Sequence, residues 1–191
     1  MAVPKEKQRV INGINTNLLA DTIRSIRNRP QIAKFKFRAN NKWVTGAHCT
    51  TTIKDFYGVE KEDTSRTRPF VLEADEPAVL LGEDHGPNAT EAALYALASC
   101  LNATFVYYAA TKGVKLDELE FTLEGDMDIQ GFLGISDQIR RGFQNITVTC
   151  RVRGDATREK LEELCQLARQ HSPVFNIVTN KVPVTVRTEV L

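Results

Sequence analysis

Hydrophobic and polar positions alternate with period two over several stretches of this chain. Elsewhere they recur every three to four residues. Ala33, Phe35, Phe37 and Ala39 alternate with Lys34, Lys36 and Arg38, which predicts a half-buried strand. Asn40-Asn41 follows as a hairpin turn and Trp43 to Ile53 as the returning strand. Phe70, Leu72 and Ala74 predict a third strand, after a charged, Pro-flanked stretch from Gly58 to Arg66 that reads as a loop. Before them, Leu18, Leu19, Ile23 and Ile26 fall at roughly helical spacing, so the spacing predicts a helix over 11–29 that ends near Pro30.

The middle of the chain predicts a longer helix. Asn88 has the chemistry of an N-cap, and Glu91 stands three residues on, the spacing of a capping box. The helix is expected to reach Lys112 and stop at Gly113. Its first half holds Ala92, Ala93, Ala96, Ala98 and Ser99, small residues that let another backbone approach closely, so a central position is expected. Leu119, Phe121, Leu123, Met127 and Ile129 then alternate with acidic residues and Thr122, predicting a strand with an acidic outer face. After an irregular stretch over 130–145, Ile146, Val148, Cys150 and Val152 predict its neighbour. Thr157 caps a helix with Leu161, Leu164, Cys165 and Ala168 at i, i+3, i+4 and i+7. Ser172-Pro173 reads as an N-cap with proline at the first helical position. A last strand is expected from Val182 to Val190, at an edge because of Pro183. Consecutive strands without crossover helices imply antiparallel sheets, hence an α+β class.

Composition adds limits. The 191 residues are 42% hydrophobic and 26% charged, with a formal net charge of +1. That balance gives no global attraction to nucleic acid or acidic membranes, so neither is expected as a partner. No uninterrupted apolar run approaches ~18 residues, so no membrane span is expected. The N-terminal stretch lacks the apolar core and cleavage site of a secretory signal, and a cytoplasmic location is expected. The four cysteines, Cys49, Cys100, Cys150 and Cys165, form no C-x-x-C pair and no zinc pattern. His85 lies beside Glu83 and Asp84, but a third spaced ligand is missing. No metal and no cofactor are therefore expected. His171 beside Ser172 lacks a nucleophile-elbow sequence around it.

Three runs resemble one family. GPNATEAALYALASC is similar to the G-P-x-x-x-E-x-x-x-x-A-L-x-x-C start of the central helix of OsmC-like proteins. LEGDMDIQGFLG resembles a strand and glycine turn of one OsmC subgroup, and RQHSPVFNIVTNKVPV resembles the family's second helix end and last strand. The resemblance spans residues 32–190, with a helical extension over 1–30 and a single OsmC-like domain over 31–191. It implies antiparallel sheets around a long central helix and an interlocked homodimer. It also implies reduction of organic hydroperoxides by a reactive cysteine, with Cys100 as the central-helix thiol.

Two departures shape the expected chemistry. Where the peroxidases carry Cys-Pro, this chain reads Ser172-Pro173, and a serine cannot form a disulfide. The resemblance then implies a cycle through Cys100 completed by an external thiol reductant, since a sulfenic acid condenses readily with thiols. The resemblance implies an activating carboxylate, which falls at Glu91 or equally at the neighbouring Thr90 position, and a cation, for which Arg38 is the best candidate; Glu91 also fits the capping box and Arg38 also fits a solvated strand charge. Cys165 lies in an apolar stripe and Cys150 on an inward strand face, so both read as packing residues. An alternative from a different class is a non-catalytic member of the fold that binds a small apolar ligand at the dimer interface.

Overall fold

A computed structural model describes residues 9–190. These divide into two units, one of residues 9–10 with 15–93 and one of residues 11–14 with 94–190. The chain starts with a short hairpin, β1 (Val10–Ile11) and β2 (Ile14–Asn15). Helix α1 (Thr16–Asn28) follows, capped by Asn15, whose side chain accepts the Leu18 N–H at 3.0 Å. It begins later than the apolar spacing predicts, because Ile11 and Ile14 belong to the hairpin.

In the first unit, β3 (Asn40–Thr45) and β4 (His48–Ile53) pair antiparallel, and β4 pairs with β7 (Phe70–Ala74). Between them lies a second hairpin, β5 (Phe56–Gly58) and β6 (Lys61–Asp63). Two sequence expectations fail here. The alternating stretch 33–39 is not a regular strand. Pro30–Ala33 is a turn of 3-10 helix, and beyond it only Lys36 is bridged, to Tyr57. Phe35 and Phe37 remain exposed; Phe35 stacks on Phe37 and Phe56, and Phe37 lies tilted against Phe56. A period-two pattern makes a strand only when a neighbour supplies the ladder, and a single bridge does not. The hairpin turn also moves from Asn40-Asn41, which pair with Thr52 and Thr51, to Gly46 at φ +54°. The expected loop over 58–66 contains the β5–β6 turn, with Val59 and Glu60 at φ +50° and +59°.

Helix α2 (Ala89–Lys112) matches expectation at both ends. The Asn88 side chain accepts the N–H groups of Thr90 and Glu91 at 3.0 and 2.9 Å, and Glu91 Oε2 accepts the Asn88 N–H at 2.9 Å. This is a reciprocal capping box. Gly86 before it is obligatory, since a Cβ there would lie 2.4 Å from the Glu73 carbonyl oxygen. By length and composition α2 could cross a membrane, with a mean hydropathy of 1.3 over its best window. The sequence expectation considered uninterrupted apolar runs and missed this average.

The second unit supplies another use for that apolarity. Leu97, Leu101, Phe105 and Ala109 recur every four residues on α2 and are all buried. Phe105 and Ala109 meet Val114, Leu164 and Ala168 in the core. Strands β8 (Leu116–Asp126) and β9 (Asn145–Gly154) form one antiparallel ladder. Its inner face sets Leu119 opposite Val152, Phe121 opposite Cys150 and Leu123 opposite Val148. Its outer face pairs Glu120 with Arg151 at 3.0 Å and Glu118 with Arg153 at 3.4 Å. The connection holds one short helix, α3 (Ile129–Phe132). Helix α4 (Arg158–His171), capped by Thr157, packs on β9, and α5 (Pro173–Thr179) follows directly.

The last predicted strand is not formed. Residues 181–190 carry no ladder, and Val184 and Val186 are 82% and 84% exposed. Their alternation needs an edge to pair with, and no edge is paired to them among the described residues. Together the elements form an α+β protein with antiparallel sheets and a long central helix.

Candidate functional site

Cys100 lies on α2 one position before the buried Leu101 and is itself partly exposed. Its sulfur meets the corner between α4 and α5. The Ser172 hydroxyl donates to Cys100 Sγ at 3.1 Å, and the Val174 N–H donates at 3.5 Å. Ser172 is 1% exposed and has several local tasks. Its N–H closes α4 on the Ala168 carbonyl at 2.9 Å, and its Oγ accepts the Phe175 N–H at 3.2 Å as N-cap of α5. Pro173 supplies no N–H at the first helical position, so Val174 offers the first backbone donor of that turn. The sulfur thus faces two directed donors.

Four sequence-derived positions can be compared with this geometry. The structure brings Cys100 and Ser172 into contact, 72 residues apart in sequence. Glu91 and Arg38 belong to the first unit, and each has a partner there. Glu91 completes the capping box of α2. Arg38 makes a bidentate pair with Glu62, with both nitrogens 2.8 Å from the carboxylate oxygens. The sequence reading missed the Val174 N–H, because a backbone donor leaves no mark in side-chain identity.

The histidines are engaged locally. His171 stacks on Tyr108, with centroids 5.1 Å apart, and makes no side-chain hydrogen bond to Ser172 among the described residues. His48 and His85 stack at 4.3 Å. His48 Nε2 meets Glu73 at 2.8 Å, and His85 Nδ1 meets Asp75 at 2.8 Å. Asp75 is 4% exposed and also accepts the N–H groups of Glu76 and Glu83. The His85 hydrogen bond and these N–H donors hold its carboxyl far below the usual range, and Asp75 in turn raises the pKa of His85. The sequence showed His85 and its acidic neighbours but not Asp75, ten residues away. Among the described residues no three His, Cys, Asp or Glu side chains are grouped to hold a metal ion.

Cys150 and Cys165 depart from the reading of separate packing residues. Both do pack against the core, but they also line the same two cavities. Helix α4 folds back on β9, so inward positions of the two elements meet.

Known proteins share this architecture. The model of the OsmC-like protein family matches residues 82–187. Among curated proteins no sequence match is found. An OsmC-like protein from Mycoplasma pneumoniae superposes with a TM-score of 0.58 at 14% identity, over 75% of this chain and 87% of that one. An OsmC-like protein of unknown function from Vibrio cholerae gives 0.54 at 15% identity, over 74% and 92%. An organic hydroperoxide resistance protein from Legionella pneumophila gives 0.52 at 16% identity, over 75% and 88%. At these identities the likeness is one of fold.

Proposed function

Because this chain belongs to the OsmC-like family, we propose that it reduces organic hydroperoxides through Cys100 with an external thiol as reductant. The observation that carries the reading is the Cys100 sulfur held by the Ser172 hydroxyl and the Val174 N–H. The name of the Legionella neighbour supports the substrate class. The Cys100 thiolate attacks the terminal peroxide oxygen. The S–O bond forms, the O–O bond breaks, and the alkoxide leaves as alcohol after taking a proton. Ser172 holds the resulting sulfenic acid but cannot condense with it. An external thiol displaces water to give a mixed disulfide, and a second releases the Cys100 thiol and a small disulfide. Arg38 and Glu91, the cation and carboxylate of this reading, are committed to Glu62 and Asn88. Cys100 with its two donors therefore carries the proposal.

In this reading the working unit is an interlocked homodimer in a reducing compartment such as the cytoplasm. The unpaired valine alternation over 182–190 and the exposed Trp43 support the first part, and four free thiols support the second. The absence of a second thiol at Ser172 favours the alternative, a binder of small apolar ligands.

The test is steady-state consumption of cumene hydroperoxide with a small thiol. Cys100→Ser should lower turnover by about a hundredfold or more, on the scale of losing a nucleophile, while Cys165→Ala keeps most of it. Absence of turnover in the intact, reduced protein would overturn the reading in favour of ligand binding.

A further inference from the structure

We propose that Cys165 and Cys150 are a second redox site, a dithiol that a hydroperoxide oxidises to an intramolecular disulfide without participation of Cys100. The two thiols stand on elements packed together, one on α4 and one on the inner face of β9. They stand together in the walls of two cavities, of about 430 and 320 Å³. The smaller is walled by Leu101, Phe121, Val148 and Phe175, an apolar lining suited to the organic part of a hydroperoxide. Arg169 lines the same cavity, four residues after Cys165 and hence on the same face of α4.

The two thiols are not equivalent. Cys165 is pushed below the ordinary thiol range, first by the neighbouring Cys150 thiol and then by the Arg169 guanidinium. Cys150 is pushed up, first by the neighbouring Cys165 thiol and then by burial. The physical reason for the order is Arg169, one turn along α4 from Cys165. Cys165 is therefore the nucleophile and Cys150 the resolving thiol.

The steps balance. The Cys165 thiolate attacks the terminal oxygen of ROOH, forming S–O as O–O breaks. RO⁻ leaves and is protonated to ROH. The Cys150 sulfur then attacks the Cys165 sulfenic acid, forming S–S as S–O breaks, and water leaves with the Cys150 proton. Two thiols are oxidised and one peroxide is reduced. A disulfide requires the two sulfurs to approach to the S–S length of ~2.05 Å. Because the bridge is half-buried between strand and helix, external thiols reduce it slowly. The site therefore spends one equivalent of oxidant and does not cycle as Cys100 does.

The experiment uses cumene hydroperoxide on the full chain carrying Cys100→Ser. The expected result is a single equivalent of alcohol, the loss of two hydrogens in mass, and a peptide linking Cys150 to Cys165. With Cys150→Ser added, a 1,3-diketone should trap the sulfenic acid on Cys165. With Arg169→Gln, oxidation near neutral pH should slow about tenfold and recover as pH rises, as expected for a shift of one pKa unit. Iodoacetamide alkylation against pH in the otherwise native protein checks the same point without substitutions in the core. A linked peptide in the Cys100→Ser protein supports the proposal whether or not the wild type turns over. No linked peptide under excess hydroperoxide, a linked peptide only when Cys100 is present, or an alkylation profile of an ordinary thiol would each overturn it.

Discussion

At the scale of single residues, the contact between Ser172 and Cys100 is the point with the most chemical consequence. The two side chains touch at 3.1 Å, and Ser172 also caps α5. Ser172→Cys should therefore place a second thiol against the first. After one equivalent of cumene hydroperoxide this variant should show, in peptide maps, a disulfide between Cys100 and the introduced thiol, cleaved by a dithiol. A variant that keeps two free thiols there would remove the case for this corner as the place of a resolving cysteine. How far this corner was legible follows from residue type. Ser172-Pro173 announced a cap, and the family motif announced Cys100, but their meeting depends on how α4 and α5 return to α2. The placing of Cys150 and Cys165 in the same cavity walls left a fainter signal. Both cysteines sit on inward faces of elements consecutive in the chain, which is enough to suspect a meeting but not to establish one. At the His85–Asp75 pair the sign of a pH effect can be worked out. His85 is raised by Asp75, so its contribution is full below its unfolded value of ~6.5 and is lost as pH rises through the higher folded value. Asp75 is lowered, so its contribution is full above ~3.9 and is lost as pH falls toward its folded value. Denaturant unfolding followed by Trp43, the single tryptophan, should show a midpoint that declines from mildly acidic to alkaline pH. His85→Gln should flatten that decline. An unchanged slope in the variant would assign it to other groups.

At the scale of elements, the first unit holds one position whose local preference and fold disagree. Val59, β-branched, stands at φ +50° in the β5–β6 turn and is exposed. Such a residue in the left-handed region costs roughly 1–3 kcal/mol. Glycine relieves the strain but adds chain entropy of ~0.5–1 kcal/mol. Val59→Gly should stabilise the unit by about 1 kcal/mol, the difference between these two effects, read as a rise in the denaturation midpoint. The same conflict explains why the sequence concealed this hairpin. A turn built from Val-Glu carries none of the Gly or Asn that marks such turns. Helices α2, α4 and α5 were legible because each opens on a side-chain cap, Asn88, Thr157 or Ser172, that its backbone uses. Strands β8 and β9 were legible because both partners lie in one stretch of chain. The stretches 33–39 and 182–190 carry equally clear alternation, yet a pattern along one strand does not say whether a partner exists.

At the scale of the whole molecule, that missing partner leads to a prediction. If a second copy supplies the edge for residues 182–190, the interface should exceed the standard ~1,600 Å². Sedimentation at micromolar concentration should then give a dimer, and deletion of 182–190 should shift it toward monomer. A monomer in the intact chain would exclude the interlocked form. A further whole-molecule property, the choice of one native state among near alternatives, follows from the β8–β9 ladder. Its inner face would tolerate a two-residue slip in one direction, which sets Leu119, Phe121 and Leu123 opposite Cys150, Val148 and Ile146, and in the other loses only Leu119, set opposite Gly154. Its outer face would not. In the observed register Glu118 and Glu120 both face arginines, whereas a slip in either direction leaves one acid against Arg and one against an uncharged residue or an end. Exposed ion pairs of this kind add only ~0–1 kcal/mol of stability. Here they act as a code that distinguishes the correct alignment from decoys which hydrophobicity alone cannot tell apart. Because salt screens exposed charges, that code weakens in concentrated salt, and refolding there should yield more misaligned, slowly correcting chains even if the final stability barely changes.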